Sequence, residues 1–256
     1  MLILLPPSEG KSAPKRGRSL DLAALDFDDL TAAREKVLAA LLEACARPDA
    51  AGILGLGPTQ AEEVSRNAAL LTAATARADR IYTGVLYDAL DLASLDAAAR
   101  RRATRWLVIM SSLFGAVRAN DPIPAYRLSG DTKLPGLGIV SSHWRAQLGP
   151  VLTEAASSGL VVDLRSTTYA GFWRPTVPGD KVATVRVLHQ VGSRRTVVSH
   201  FNKATKGRIV RDLLTDGGTP RTPGELADHL GALGWKVEPG PATRAGQQLD
   251  VVVDEL

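Results

Sequence analysis

The chain has 256 residues, 45% of them hydrophobic and 23% charged, and a formal net charge of +4. That length can bury a large core, and the composition is that of an ordinary globular protein whose mild cationic excess is compatible with an anionic partner. A single cysteine, Cys45, excludes an intrachain disulfide; residues 1–5 are too short for a signal segment and no apolar run can span a membrane, so a cytoplasmic protein without membrane contacts is expected.

Leu2 to Leu5 is a continuous apolar run and reads as a buried strand. The loop after it, residues 6–12, carries Ser8 and Lys11 but lacks the first glycine and the spacing of a Walker A loop. Leu30 to Ala46 has helical periodicity. Leu54-Gly55-Leu56-Gly57-Pro58 then sits between helix signals. Two readings fit it: a helix-hairpin-helix, whose glycine amides grip a nucleic-acid phosphate, or an αα-hairpin that needs glycine for its turn. Arg80 to Leu90 reads as a short strand with a turn at Gly84, and Arg100 to Arg102 as the end of a helix. Trp106 to Met110 is a buried strand. It leads into a proline-rich loop with Arg118, Asp121, Tyr126 and Arg127, a common setting for a site. Ser142 to Ser157 reads as a serine-capped helix. Gly159 to Asp163 reads as a strand, with Arg165, Ser166 and Tyr169 leaving its end. Lys181 to Gln190 and Arg195 to Phe201 form a hairpin, Thr222 caps a helix with Glu225 at capping-box spacing, and residues 234–253 close as a second hairpin.

The stretch Thr196 to Leu214 organises the rest. Thr196 to Phe201 reads as a strand and Asn202 to Leu214 as a helix with Asn202 at its N-cap. Lys203, Arg208 and Arg211 fall on one face, which reads either as a solvated basic surface or as an anion site. Lys206 projects among Ile209 and Leu213, where a lysine is costly without an anionic partner or a path to water. Strand signals that alternate with helices early and pair as hairpins late imply a mixed sheet in a single α/β body with flanking helices.

Several of these segments, in order, resemble the YaaA family of peroxide-stress proteins: residues 1–8, Tyr82 to Gly84, Ser112 to Arg118 with Pro124 to Leu128, Val161 to Leu164 with Ser166 and Tyr169, and Phe201 to Gly207. The resemblance runs from residue 1 to about 214, with a looser tail over 215–256. It implies one domain with a positively charged cleft and a helix-hairpin-helix element, here over about 30–77. It further implies sequence-independent DNA binding and a link to limiting free iron and oxidative DNA damage.

The residues gathered at strand ends define an expected anion-binding set: Ser8, Lys11, Arg118, Arg127, Ser166, Lys203, Lys206, Arg208 and Arg211, with Gly55 and Gly57 in the hairpin. Lys206, Asp163 and Tyr169 are the candidates for chemistry, Asp163 as a counter-charge or proton acceptor. The two functions to weigh are DNA binding and an enzyme acting on a nucleotide or other phosphorylated small molecule. No cofactor or metal is expected, because His143, His189, His200 and His229 are scattered without ligand spacing.

Overall fold

In the computed structural model, residues 1–192 and 194–254 are described, and of Ser199 and His200 only the backbone. The chain starts in strand β1 (Leu2–Leu5), all four residues buried. Helices α1 (Thr31–Cys45), α2 (Ala50–Ile53) and α3 (Ala61–Ala68) follow. Then come β2 (Ala76–Arg77), α4 (Ala78–Ile81), α5 (Val85–Leu90) and α6 (Ala97–Trp106). β3 (Leu107–Ser111) turns back through β4 (Gly115–Val117), and β5 (Pro122–Ile123), β6 (Lys133–Leu134) and β7 (Gly138–Ile139) are short. After α7 (Val140–Ala156), β8 (Val161–Asp163) and α8 (Thr167–Ala170) lead to β9 (Val182–Val191) and β10 (Arg194–Thr196). The long helix α9 (Ser199–Asp216), α10 (Pro223–Ala232), β11 (Lys236–Thr243) and β12 (Gly246–Asp254) complete the chain.

The main sheet is mixed, with strand order β11-β12-β9-β8-β1-β3-β4 and β10 paired to β9. β12, β9, β8, β1 and β3 run parallel, and β11, β4 and β10 pair antiparallel. Parallel strands buried on both faces read as unbroken apolar runs, which is why β1, β3 and β8 stand out in the sequence. β12 crosses back to pair with β9 from Gln247↔Ala183 to Asp254↔Gln190, so the C-terminal residues supply an interior strand of the sheet.

Several local expectations are corrected. Arg80 to Leu90 is not a strand: it is α4 and α5 joined at Gly84, whose φ of 92° suits glycine. The buried set Leu86, Tyr87 and Leu90 has helical spacing, and that pattern outweighs β-branched content. The hairpin strand ends at Thr196, not Phe201. β10 lies on the same side of β9 as β8, because β12 occupies the other side throughout, and α9 begins soon after it. Asn202 is therefore inside the first turn, its amide bonded to the Val198 carbonyl. Ser142 likewise lies within α7, whose N-cap is Ile139. Arg100 to Arg102 lie mid-helix in α6. The cap of α10 is as expected, with Thr222 Oγ1 accepting from the Glu225 amide.

α9 lays Ile209, Val210, Leu213 and Leu214 fully buried into the core. It crosses α5 at Gly207, where an added Cβ would overlap the Leu86 carbonyl oxygen. This close crossing brings Lys206 and Lys203 over the carboxyl ends of β1 and β8.

Candidate functional site

The carboxyl ends of parallel strands are where loops diverge and leave a crevice. Here a cleft of about 320 Å³ opens between residues 6–10 after β1, residues 83–87 at the start of α5, and Ser166, Tyr169 and Lys203. Its walls are tied together. The Tyr87 hydroxyl donates to the Pro6 carbonyl at 2.7 Å, and the Thr83 amide donates to Ser8 Oγ at 3.1 Å. Lys11 turns under the loop, donating to the Ser8 carbonyl at 2.8 Å with its ammonium 4.2 Å from the Tyr126 ring centroid. Burial lowers its pKa to about 8, against the opposing pull of Glu9. Glu9 itself pairs with Arg127 at 2.8 Å. Asn67 on α3 clamps the Arg127 backbone from both sides, accepting from its amide at 2.9 Å and donating to its carbonyl at 2.7 Å.

On the β8 side, Asp163 is held by Arg165 through two side-chain bonds of 2.6 and 2.9 Å. Lys206 is buried, and its ammonium donates to the Leu164 carbonyl at 2.9 Å. Burial lowers its pKa to about 8, with Asp163 acting in the opposite sense. The Tyr169 hydroxyl lies 3.0 Å from Ser112 Oγ, and burial raises its pKa to about 12, so at neutral pH it is a proton donor. A second buried hydroxyl chain links Tyr82 to Tyr126 at 3.0 Å and Tyr126 to Ser111 at 2.8 Å. Ser166 is exposed at the N-cap of α8, with no cap bond from its side chain. Among the described residues, neither Lys11 nor Lys206 forms an ion pair. An amine with a pKa near 8 is partly neutral at pH 7.5; it can exchange a proton, and it regains full charge when an anion arrives.

Of the expected set, Ser8, Ser166, Tyr169 and Lys203 line the cleft; Lys11 and Arg127 are held against the residue 8–10 loop that forms one wall, and Asp163 and Lys206 lie at the end of β8, behind the lining. Three expected members lie elsewhere. Arg118 sits at the opposite end of β3, donating to the Arg105 and Leu107 carbonyls at 2.9 and 3.3 Å. Arg211 caps the end of α5 through the Leu90 and Asp91 carbonyls at 3.0 and 2.9 Å. Arg208 is exposed and lines no part of the cleft. In the hairpin, Gly55 has φ 63° and Gly57 an ordinary extended conformation. Its amides are already bonded: Gly55 to the Gly52 carbonyl, Leu56 to the Ala51 carbonyl and Gly57 to Gln60 Oε1. The hydroxyl chain, the Asn67 clamp and the Thr83 contact were not anticipated. Tyr82 and Tyr126 lie within segments that carry the family resemblance, but nothing local in the sequence pairs their hydroxyls.

Among the described residues, no group of His, Cys, Asp and Glu side chains is arranged to hold a metal ion, and no helix is long and apolar enough to cross a membrane.

Fold and cleft define a mixed α/β protein with a lysine-bearing crevice at the carboxyl ends of its parallel strands. A family model described as peroxide stress protein YaaA matches residues 1–239, and the chain belongs to that family. It is 54% identical over 261 residues to a UPF0246 protein of Streptomyces coelicolor, covering 100% of both chains. A Corynebacterium efficiens UPF0246 protein is 44% identical over 93% of this chain and 95% of its own, and one from a Ruegeria species is 29% identical over 86% and 88%.

Proposed function

We propose that this chain serves peroxide-stress protection by binding an anionic small molecule of about nucleotide size in the cleft, and that Lys206 and Lys11 supply its charge and proton chemistry. The observation that carries this reading is the pair of lysines held by backbone carbonyls, without a carboxylate of their own, beside a cavity open at strand ends. Keeping two amines there opposes burial, and an incoming phosphate or carboxylate repays that cost. Tyr169 stands ready as a donor, and Ser8 and Ser166 offer hydroxyls at the mouth. The volume suits a small ligand and not a duplex, so an enzyme or small-molecule receptor fits better than a DNA clamp at this position.

Sequence-independent DNA binding is the second reading, favoured by exposed Lys203 and Arg208 on α9. The hairpin supports it weakly, since a phosphate would have to displace the internal bonds of the amides at 55–57. The link to free iron rests on the resemblance alone. Thermal-shift screening with nucleotides and sugar phosphates, beside duplex-DNA binding across a salt series, separates the two. Saturable stabilisation by a small phosphate, lost in Lys206→Met, supports the cleft reading. Salt-dependent duplex binding with no small-molecule response overturns it in favour of DNA.

A further inference from the structure

A second cationic site lies away from the cleft and shares no lining residue with it. Between α4, α6 and the turn at Leu92 there is a groove of about 370 Å³. Arg80 reaches it from α4, and Arg100, Arg101 and Thr104 from one side of α6. Arg77 at its rim is neutralised by Asp79, through bonds of 2.6 to 3.2 Å. Arg80, Arg100 and Arg101 are exposed and make no hydrogen bond or ion pair among the described residues. Their neighbours behave differently: Arg102, one residue on, is spent capping α9 through the Leu214 and Thr215 carbonyls at 2.6 and 3.0 Å.

Three guanidinium groups around one concavity, none held in an ion pair among the described residues and Arg101 within electrostatic reach of an acid, Asp96, repel one another and leave a net positive charge for an occupant. Guanidinium forks match phosphate oxygens bidentately, and a single carboxylate would leave most of the charge unanswered. The Thr104 hydroxyl adds a neutral donor, and buried Leu92 gives the groove an apolar floor. We propose that this groove binds the di- or triphosphate chain of a small molecule, at a site separate from the cleft. Its occupant has a short mechanical route to the cleft. α4 runs directly into Tyr82 and Thr83; the Ile81 carbonyl accepts from the Ser12 amide, and Thr83 contacts Ser8 at the cleft wall.

The test is isothermal titration calorimetry with inorganic tripolyphosphate, ATP and orthophosphate on the full chain. Wild type is expected to show a saturable tripolyphosphate event, with orthophosphate much weaker. Arg100→Ser combined with Arg101→Ser is expected to weaken that event by about tenfold or more. Both side chains are exposed, so circular dichroism should show an unchanged fold. Arg105→Ser, an exposed cation of α6 outside the groove, should leave the event within about twofold, and any second event that Lys203→Ala removes while Arg100→Ser with Arg101→Ser spares it belongs to the cleft. The proposal is overturned by no saturable binding of either polyphosphate, by equal binding in the double variant, or by an equal loss in Arg105→Ser.

Discussion

Replacing Lys206 by methionine separates a lysine kept for a ligand from one kept for the fold. The depression of its pKa from 10.5 to about 8, at about 1.4 kcal/mol per pH unit, makes the charged amine about 3 kcal/mol worse off in the folded protein at pH 7. Methionine removes that penalty and fills similar space. It also strands the Leu164 carbonyl that the amine now satisfies, at about 1 to 3 kcal/mol. Asp163 is not stranded, because Arg165 already binds both of its oxygens. The two terms nearly cancel, so the variant should melt within about 5 °C of wild type at pH 7. The pH dependence carries the same signature. Between pH 8 and 10.5 the unfolded chain still holds the Lys206 proton and the folded one does not, so wild-type stability rises across that window. Lys206→Met should lose this share of the rise and keep the share due to Lys11. Thermal melts at pH 7.5 and 10, run beside peroxide survival of complemented cells, read both effects. A drop in melting temperature of about 10 °C or more at pH 7.5 refutes the reasoning, since it would mean that Lys206 neutralises a buried carboxylate.

Gly207→Ala should destabilise the protein by about 1 to 3 kcal/mol, because the new methyl meets the Leu86 carbonyl at the α5–α9 crossing; urea melts with an unchanged slope and a lower midpoint would show it. Asp121 is buried, accepts from the Arg118 and Asp26 amides, and has its pKa raised to about 7 by burial and its bond with the Asp26 side chain. The folded state therefore holds a proton between about pH 4 and 7 that the unfolded chain has released, so this contribution to stability is full below about pH 4, is lost as pH rises across that window and is gone above about 7. Asp121→Asn should flatten that part of the stability profile, and an unchanged profile would contradict the assignment. Gly55→Ala, forced into the left-handed region at φ 63°, should cost about 1 to 2 kcal/mol. By the small-molecule reading it should leave ligand binding in the cleft unaltered, which the same calorimetry checks.

The sequence made some of this legible because the signal was local. β1, β3 and β8 are unbroken apolar runs flanked by turns, and α1 and the α10 cap follow from spacing within a few residues. The side chains at the ends of β1 and β8 could be gathered into one site because parallel topology puts those ends together. Lys206 was legible as an anomaly, a charge on an apolar face. Long-range geometry was not. Arg118 and Arg211 look like anion ligands in sequence, yet Arg118 is bonded to carbonyls at the junction of α6 and β3 and Arg211 to carbonyls at the end of α5, far off in the chain. Nothing within a few residues of either reports which carbonyls it will meet. Arg80 to Leu90 misled because Ile81, Tyr82, Val85 and Tyr87 favour strands. Tertiary burial of one helical face against α9 overrides that preference. The buried hydroxyl chain through Tyr82, Tyr126 and Ser111 joins three segments that only the fold brings within hydrogen-bond reach.

The ionisation of the two lysines themselves tests the central claim most directly. With lysine labelled at Cε, NMR titration of the free protein should show two amines titrating near pH 8, assigned by Lys11→Met and Lys206→Met. Adding AMP, ADP or pyrophosphate should move both titrations upward by about one pH unit or more for at least one of these probes, as an anion enters the cleft and favours the charged form. Ordinary titration near 10.5 in the free protein, or values near 8 that no probe moves, would contradict the reading of this cleft as an anion site.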